Sequence, residues 1–176
     1  MRSKSKAPSL MTPWRWALIS TMLLIIIFLL LNIYYRSIQA PVWAEQNQAI
    51  AIASEAAQLD KVIRVDKHVW DTTTWVVQGI NAEQKEVYVW VTDETTAVIP
   101  ASEGIKKSVL QANVLAAKPD IRITRITPGL LRGERVWEVF YSREENVTRY
   151  YYEFYRFSDG SFITIYNLPA KFSDGP

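Results

Sequence analysis

Cysteine is absent from these 176 residues, and histidine occurs once, at position 68. Without thiols there is no disulfide, no cysteine nucleophile, no lipid-modified cysteine and no thiolate-bound metal, so the fold rests on its core alone. A lone histidine leaves almost no scope for a zinc site or a Ser-His-Asp triad. Beyond residue 41 there is also no Gly-rich phosphate loop, no Gly-x-Ser-x-Gly, no His-Glu-x-x-His and no Ser-x-x-Lys. The composition is instead rich in Trp (7), Tyr (9) and β-branched residues. These types suit sheets and binding faces better than active sites.

Acidic residues are missing from the start of the chain: all 18 lie beyond residue 41, together with 15 of the 20 basic ones. The part after residue 41 is therefore near −3, and the basic balance belongs to an N-terminal stub. No net positive field remains there to hold phosphates, which argues against nucleic acid as a partner. Residues 16–35 (WALISTMLLIIIFLLLNIYY) carry no charge. At about 1.5 Å per helical residue the run spans about 30 Å, the thickness of a bilayer's hydrocarbon core. Arg2, Lys4, Lys6 and Arg15 precede it and only Arg36 follows closely, so the positive-inside rule places residues 1–15 in the cytoplasm and the remainder outside. Trp14, Trp16, Tyr34 and Tyr35 fit the two interfacial belts. The alternative is a cleaved secretory signal, whose apolar region is typically about 7–15 residues. Bulky Ile38 and the following Pro41 suit a cleavage site poorly.

About 136 residues follow, enough for one domain or two very small ones. Residues 43–59 are dense in Ala, Gln and Glu, with Ala49, Ala53 and Ala56 (and Ile52 beside them) at helical spacing. Strands are expected at 61–70, 73–80 and 86–92, the last two joined through a loop at 81–85. The pattern then restarts. Ser102 and Glu103 form a cap; Ile105, Val109, Ala112 and Ala116 mark a helix over 103–117; and Pro119 supports a stop. Strands follow at 121–127, 135–142, 149–157 and 161–166, the last two joined by the Asp159-Gly160 turn. Val62-Ile63-Arg64-Val65 answers Asp120-Ile121-Arg122-Ile123, and Trp75-Val76-Val77 answers Trp137-Glu138-Val139. Tyr150 to Phe154 matches Val87 to Val91, and Phe162 to Ile165 matches Ala97 to Ile99. The reading is an α+β fold: a transmembrane helix and two tandem αβββ repeats, 41–99 and 100–168, each a helix on an antiparallel sheet, then a tail at 169–176. Each repeat is near 60 residues, so the two are expected to dock and share buried surface.

Trp75-Val76-Val77-Gln78-Gly79 leading into Glu86 to Val91, Trp137 to Tyr141, and Tyr150 to Phe157 followed by Asp159-Gly160 carry a resemblance. With the stub and anchor, their order and spacing resemble the TseB-like (YpmB-like) proteins of Gram-positive bacteria, built of PepSY/cystatin-like units. The resemblance implies a non-enzymatic cell-membrane regulator of peptidoglycan synthesis and cell shape that binds a class B penicillin-binding protein. It offers no catalytic motif, cofactor, metal or small-molecule substrate. Relatives among protease propeptides imply the rival role, a peptidase inhibitor or sensor that binds peptide by strand addition.

Three groups were candidates for chemistry. His68 reads as a strand histidine near a surface, with only Asp66 and Asp71 as nearby acids. Asp93-Glu94 and Glu144-Glu145 read as solvated turns, as does Asn146-Val147-Thr148 despite its acceptor-like form. The strand at 149–157 places rings on both faces, because side chains alternate. One face must be core, and the other is covered by the neighbouring repeat or offered to a partner. Tyr150, Tyr152 and Tyr155 are the candidate partner-binding residues.

Overall fold

A computed structural model describes residues 13–168. The basic residues at 2, 4 and 6 and the tail at 169–176 lie outside the described residues. The chain divides into two bodies at Glu45/Gln46. The long helix α1, Pro13–Ala57, begins in the first body and ends in the second. Its span Trp16–Arg36 is 21 residues with a mean hydropathy of 2.5 and no buried side chains, long and apolar enough to cross a membrane. Trp14, Trp16, Tyr34 and Tyr35 are all exposed near the ends of that span. Inside it, the Thr21 hydroxyl donates to the Ala17 carbonyl at 2.9 Å, which satisfies that polar side chain within the helix.

The second body holds two four-stranded antiparallel sheets. The first runs in the order β1 (Leu59–Val69), β2 (Thr73–Asn81), β3 (Glu86–Val91) and β4 (Thr96–Pro100). After the short 3-10 turn Ala101–Glu103 and helix α2 (Lys107–Ala117) comes the second, β5 (Ile121–Leu131), β6 (Glu134–Glu144), β7 (Thr148–Arg156) and β8 (Phe162–Asn167). Each half of this body therefore has a sheet of four strands, where three were expected. Trp75 lies in the second strand of its sheet and Trp137 in the second strand of the other.

Side-chain size explains how α1 meets the first sheet. Ala49, Ala53 and Ala57 recur every fourth residue and are buried, whereas Ala56 and Ile52 face out. Ala53 and Ala57 pack on Val77, Val87, Val89 and Val91, a valine face alternating along β2 and β3 as strand geometry requires. The opposite face of that sheet (Val76, Tyr88, Trp90) joins Leu110 and Val114 of α2 and Trp137, Val139 and Tyr141 of β6 in one cluster. The two sheets thus share their largest core, as the small size of each half demands.

The second helix corrects its expected register. It starts at Lys107, the Ser102-Glu103 pair falls in the preceding 3-10 turn, and Lys106 at the N-cap offers no side-chain cap. Leu110 and Val114 are its buried residues, while Val109, Ala112 and Ala116 face outward. Strand β5 is also longer than expected, continuing through Pro128 and Gly129 to Leu131. Proline is tolerated because β5 is the edge strand of its sheet and needs no donor there. The turn back into β6 is Arg132-Gly133, both with positive φ (52° and 78°), the pair of dihedrals a tight two-residue hairpin takes.

Gly129 marks a tight contact between the two sheets. The His68 ring of β1 lies directly against it, so an added Cβ would overlap the imidazole. The Trp90 indole N–H donates to the Gly129 carbonyl at 2.9 Å, and the Leu130 amide reaches His68 Nδ1 at 3.4 Å. Gly129→Ala is therefore expected to cost roughly 1–3 kcal/mol as an overpacking change. Gly133→Ala meets nothing within 4 Å and should cost only left-handed backbone strain, about 1 kcal/mol. Urea denaturation of the two variants checks the difference.

Candidate protein-interaction surface

The tyrosine-rich strand β7 divides its rings as alternation demands. Tyr155 turns inward, 8 % exposed, and its hydroxyl donates to Glu153 Oε2 at 2.5 Å. The Tyr141 hydroxyl donates to Glu153 Oε1 at 2.9 Å, and the Lys118 ammonium completes the set around this buried carboxylate. Burial and the hydrogen bonds to Glu153 push both phenols well above their ordinary pKa. Tyr155 is thus a core residue that stabilises a buried charge, and a partner cannot reach its ring.

Tyr150 and Tyr152 point to the other face of the sheet. Tyr150 is 45 % exposed and stacks on Phe140 at 5.8 Å, which stacks in turn on Tyr152 at 4.6 Å. Tyr152 meets the edge of Trp70 at 5.5 Å, and Trp70 stacks on Tyr166 at 5.1 Å. Five rings from β6, β7, β8 and the end of β1 therefore form one continuous strip. The Arg125 guanidinium lies 5.9 Å from the Phe140 ring on one flank. At the other, Arg132 Nη2 donates to the Tyr166 hydroxyl at 3.2 Å. Beside the strip a groove of about 320 Å³ is lined by Lys67, Val69, Trp70, Arg125, Thr127 and Tyr152, among others. An aromatic row with guanidinium flanks is the residue set that protein interfaces favour.

Glu138 fixes this surface from beneath. Its carboxylate is 3 % exposed, and Trp70 Nε1 donates to Oε2 at 2.8 Å while Arg125 Nη2 donates to Oε1 at 2.6 Å. His68 Nε2 faces Oε2 at 3.2 Å. Because Nδ1 accepts from the Leu130 amide, the ring proton belongs on Nε2, facing the carboxylate. Burial pushes the Glu138 carboxyl up, but donors from His68, Trp70 and Arg125 together hold it below the usual range. His68 is correspondingly a buried interface residue, 3 % exposed, and not a surface one. The sequence reading placed Glu138 in its strand but missed its role. The available signal was a glutamate flanked by Val136, Trp137, Val139 and Phe140, where alternation leaves no exposed position.

The remaining acids sit as the sequence suggested. Asp93 and Glu94 lie in an exposed turn closed by the Thr92–Thr95 hydrogen bonds. Glu144 and Glu145 are exposed near the β6–β7 turn, with Arg149 3.5 Å from Glu145. Among the described residues no cluster of three or more His, Asp or Glu could hold a metal ion.

The Glu138 arrangement sets the sign of a pH effect. A carboxyl lowered in the folded state contributes stability above its unfolded pKa, near 4.5, and loses it as pH falls through the folded value. Wild type should exceed Glu138→Gln by about 1–3 kcal/mol at neutral pH, and the gap should close in acid. Thermal midpoints of both proteins across a pH series measure it.

Comparisons with known proteins agree with this architecture. Residues 48–92 match the family model described as the cell wall elongation regulator TseB-like domain. The fold matches the solved structure of the YpmB protein from Bacillus subtilis with a TM-score of 0.60 at 21 % identity, covering 69 % of this chain and 96 % of that one. No curated protein matches the sequence. A TseB-like segment thus runs from the end of α1 through β3, inside a fold shared with the YpmB protein.

Proposed function

We propose that this chain is a membrane-anchored, non-catalytic regulator of peptidoglycan synthesis during elongation, and that it binds a class B penicillin-binding protein. The TseB-like match supports the regulatory role, and the row Tyr150–Phe140–Tyr152–Trp70, half-buried and ending on exposed Tyr150, supports binding over catalysis. In this reading Trp16–Arg36 stays uncleaved, the stub is cytoplasmic, and two PepSY-like repeats stand outside the membrane. Confinement to the bilayer raises the effective concentration of a weakly bound membrane partner.

Affinity capture of the full chain from detergent-solubilised membranes tests the partner, with a penicillin-binding protein expected to co-purify. Tyr150→Ala removes an exposed ring that supports no buried group, so stability should shift by no more than about 0.5 kcal/mol. Capture should fall about tenfold, the loss expected of an interface aromatic. A second reading, strand addition by a peptide, rests on edge strand β8, whose sequence FITIYN has no charge or proline to guard it. Recovery of a peptidase instead would favour that reading.

The tether and the carboxylates supply a further test. A secreted form of residues 41–176 should fail to restore normal cell shape even when folded. The anchored protein should keep working after single substitution of Asp93, Glu94, Glu144 or Glu145. The opposite pair of results would return an enzymatic reading, because a true general acid or base typically carries about 10²–10⁴-fold in rate.

A further inference from the structure

A larger groove, about 770 Å³, opens where the first sheet meets the start of α2. Its lining includes Lys85, Tyr88, Ser102, Lys106, Lys107 and Ser108. Tyr88 is 8 % exposed, its ring fixed against Trp90, Trp137 and Phe157 at 5.9, 5.9 and 5.3 Å. Its hydroxyl has no hydrogen-bond partner among the described residues. Packing thus fixes the ring, while the unpaired hydroxyl remains open to the groove as a positioned donor.

The groove supplies further donors. Helix α2 begins here with an extended Lys106 at the N-cap, no side-chain cap and no acid in its first turn. Its opening N–H groups and the positive end of its dipole therefore stay available to an anion. No salt bridge joins Lys106 or Lys107 to a carboxylate among the described residues, whereas Lys85 is held by Glu83 at 2.8 Å. The single acid in the lining, Glu86, accepts a hydrogen bond from the Gln78 amide. A carboxylate would match one of the two ammonium groups. A phosphate monoester, at about −1.5 to −2, matches both.

We propose that this groove binds a phosphate-type oxyanion at the N-terminal end of α2, held by the Lys106 and Lys107 ammonium groups and the Tyr88 hydroxyl. Burial, with Glu86 and Asp66 nearby, pushes the Tyr88 phenol up to about 12, so it stays a donor at neutral pH. Burial and then the Arg64 guanidinium push the Lys107 ammonium down, a cost that a bound anion relieves.

The test uses the full chain in phosphatidylcholine nanodiscs, titrated with inorganic phosphate, pyrophosphate and water-soluble short-chain phosphatidic acid, with the Lys107 and Ser108 amide resonances as readout. Saturable shifts at those amides are expected. Lys106→Gln with Lys107→Gln should weaken binding at least about tenfold, the effect of losing charge-assisted hydrogen bonds. Tyr88→Phe should weaken it several-fold without lowering the thermal midpoint, since no internal hydrogen bond is lost. Tighter binding of phosphatidic acid than of phosphate assigns a lipid headgroup, and equal binding assigns the free anion. The proposal is overturned if none of the probes gives a saturable shift, or if the double lysine variant binds them as well as wild type.

Discussion

One carboxylate decides how this protein is put together. Glu138 sits 3 % exposed on β6 and accepts hydrogen bonds from Trp70, just beyond β1, and from Arg125 on β5, with His68 Nε2 of β1 3.2 Å away. A buried charge without partners is costly by several kcal/mol, so the strand carrying Glu138 folds stably only when the first repeat is docked on it. Gly129 makes that docking possible by leaving room for the His68 ring, and the Trp90 indole closes the contact from the neighbouring face. The shared aromatic cluster supplies the apolar driving force, and the Glu138 junction sets the register.

Function follows from which faces this arrangement leaves over. The face of the first sheet under α1 is sealed by alanine against valine, and the shared core takes the other. On the second sheet, the outer face of β6, β7 and β8 carries the row of stacked rings, with Tyr150 in reach of solvent. Trp70 belongs to both systems: its N–H satisfies Glu138 and its ring continues the row from Tyr152 to Tyr166. The row is therefore rigid before any partner arrives, and a preorganised surface loses less side-chain entropy on binding.

Much of the fold was legible in local pattern. Alternation marked strands β2, β3 and β6 to within one or two residues, and the alanine spacing marked the end of α1. What failed required knowledge of distant neighbours. Pro128-Gly129 reads as a break, yet β5 runs through it because an edge strand needs no amide donor there and His68 needs the missing Cβ. Val109 and Leu110 are equally apolar, and only the position of β6 decides that Leu110 turns inward. The acids beside His68 pair elsewhere, Asp66 with Arg64 and Asp71 with the Arg132 amide, and the carboxylate it faces, Glu138, lies 70 positions away. Tyr150, Tyr152 and Tyr155 share one composition, but strand parity sends the last into the core beside Glu153.

Native-state hydrogen exchange on the full chain measures most directly whether the repeats form one cooperative body. Val89 and Val139 are each fully buried in the centre of their own sheet. If docking at Glu138 stabilises both repeats, their amides exchange through a common global opening with the same free energy, and Glu138→Gln lowers both by the same amount. Different opening free energies at the two valines, with only Val139 responding to the substitution, would contradict the account.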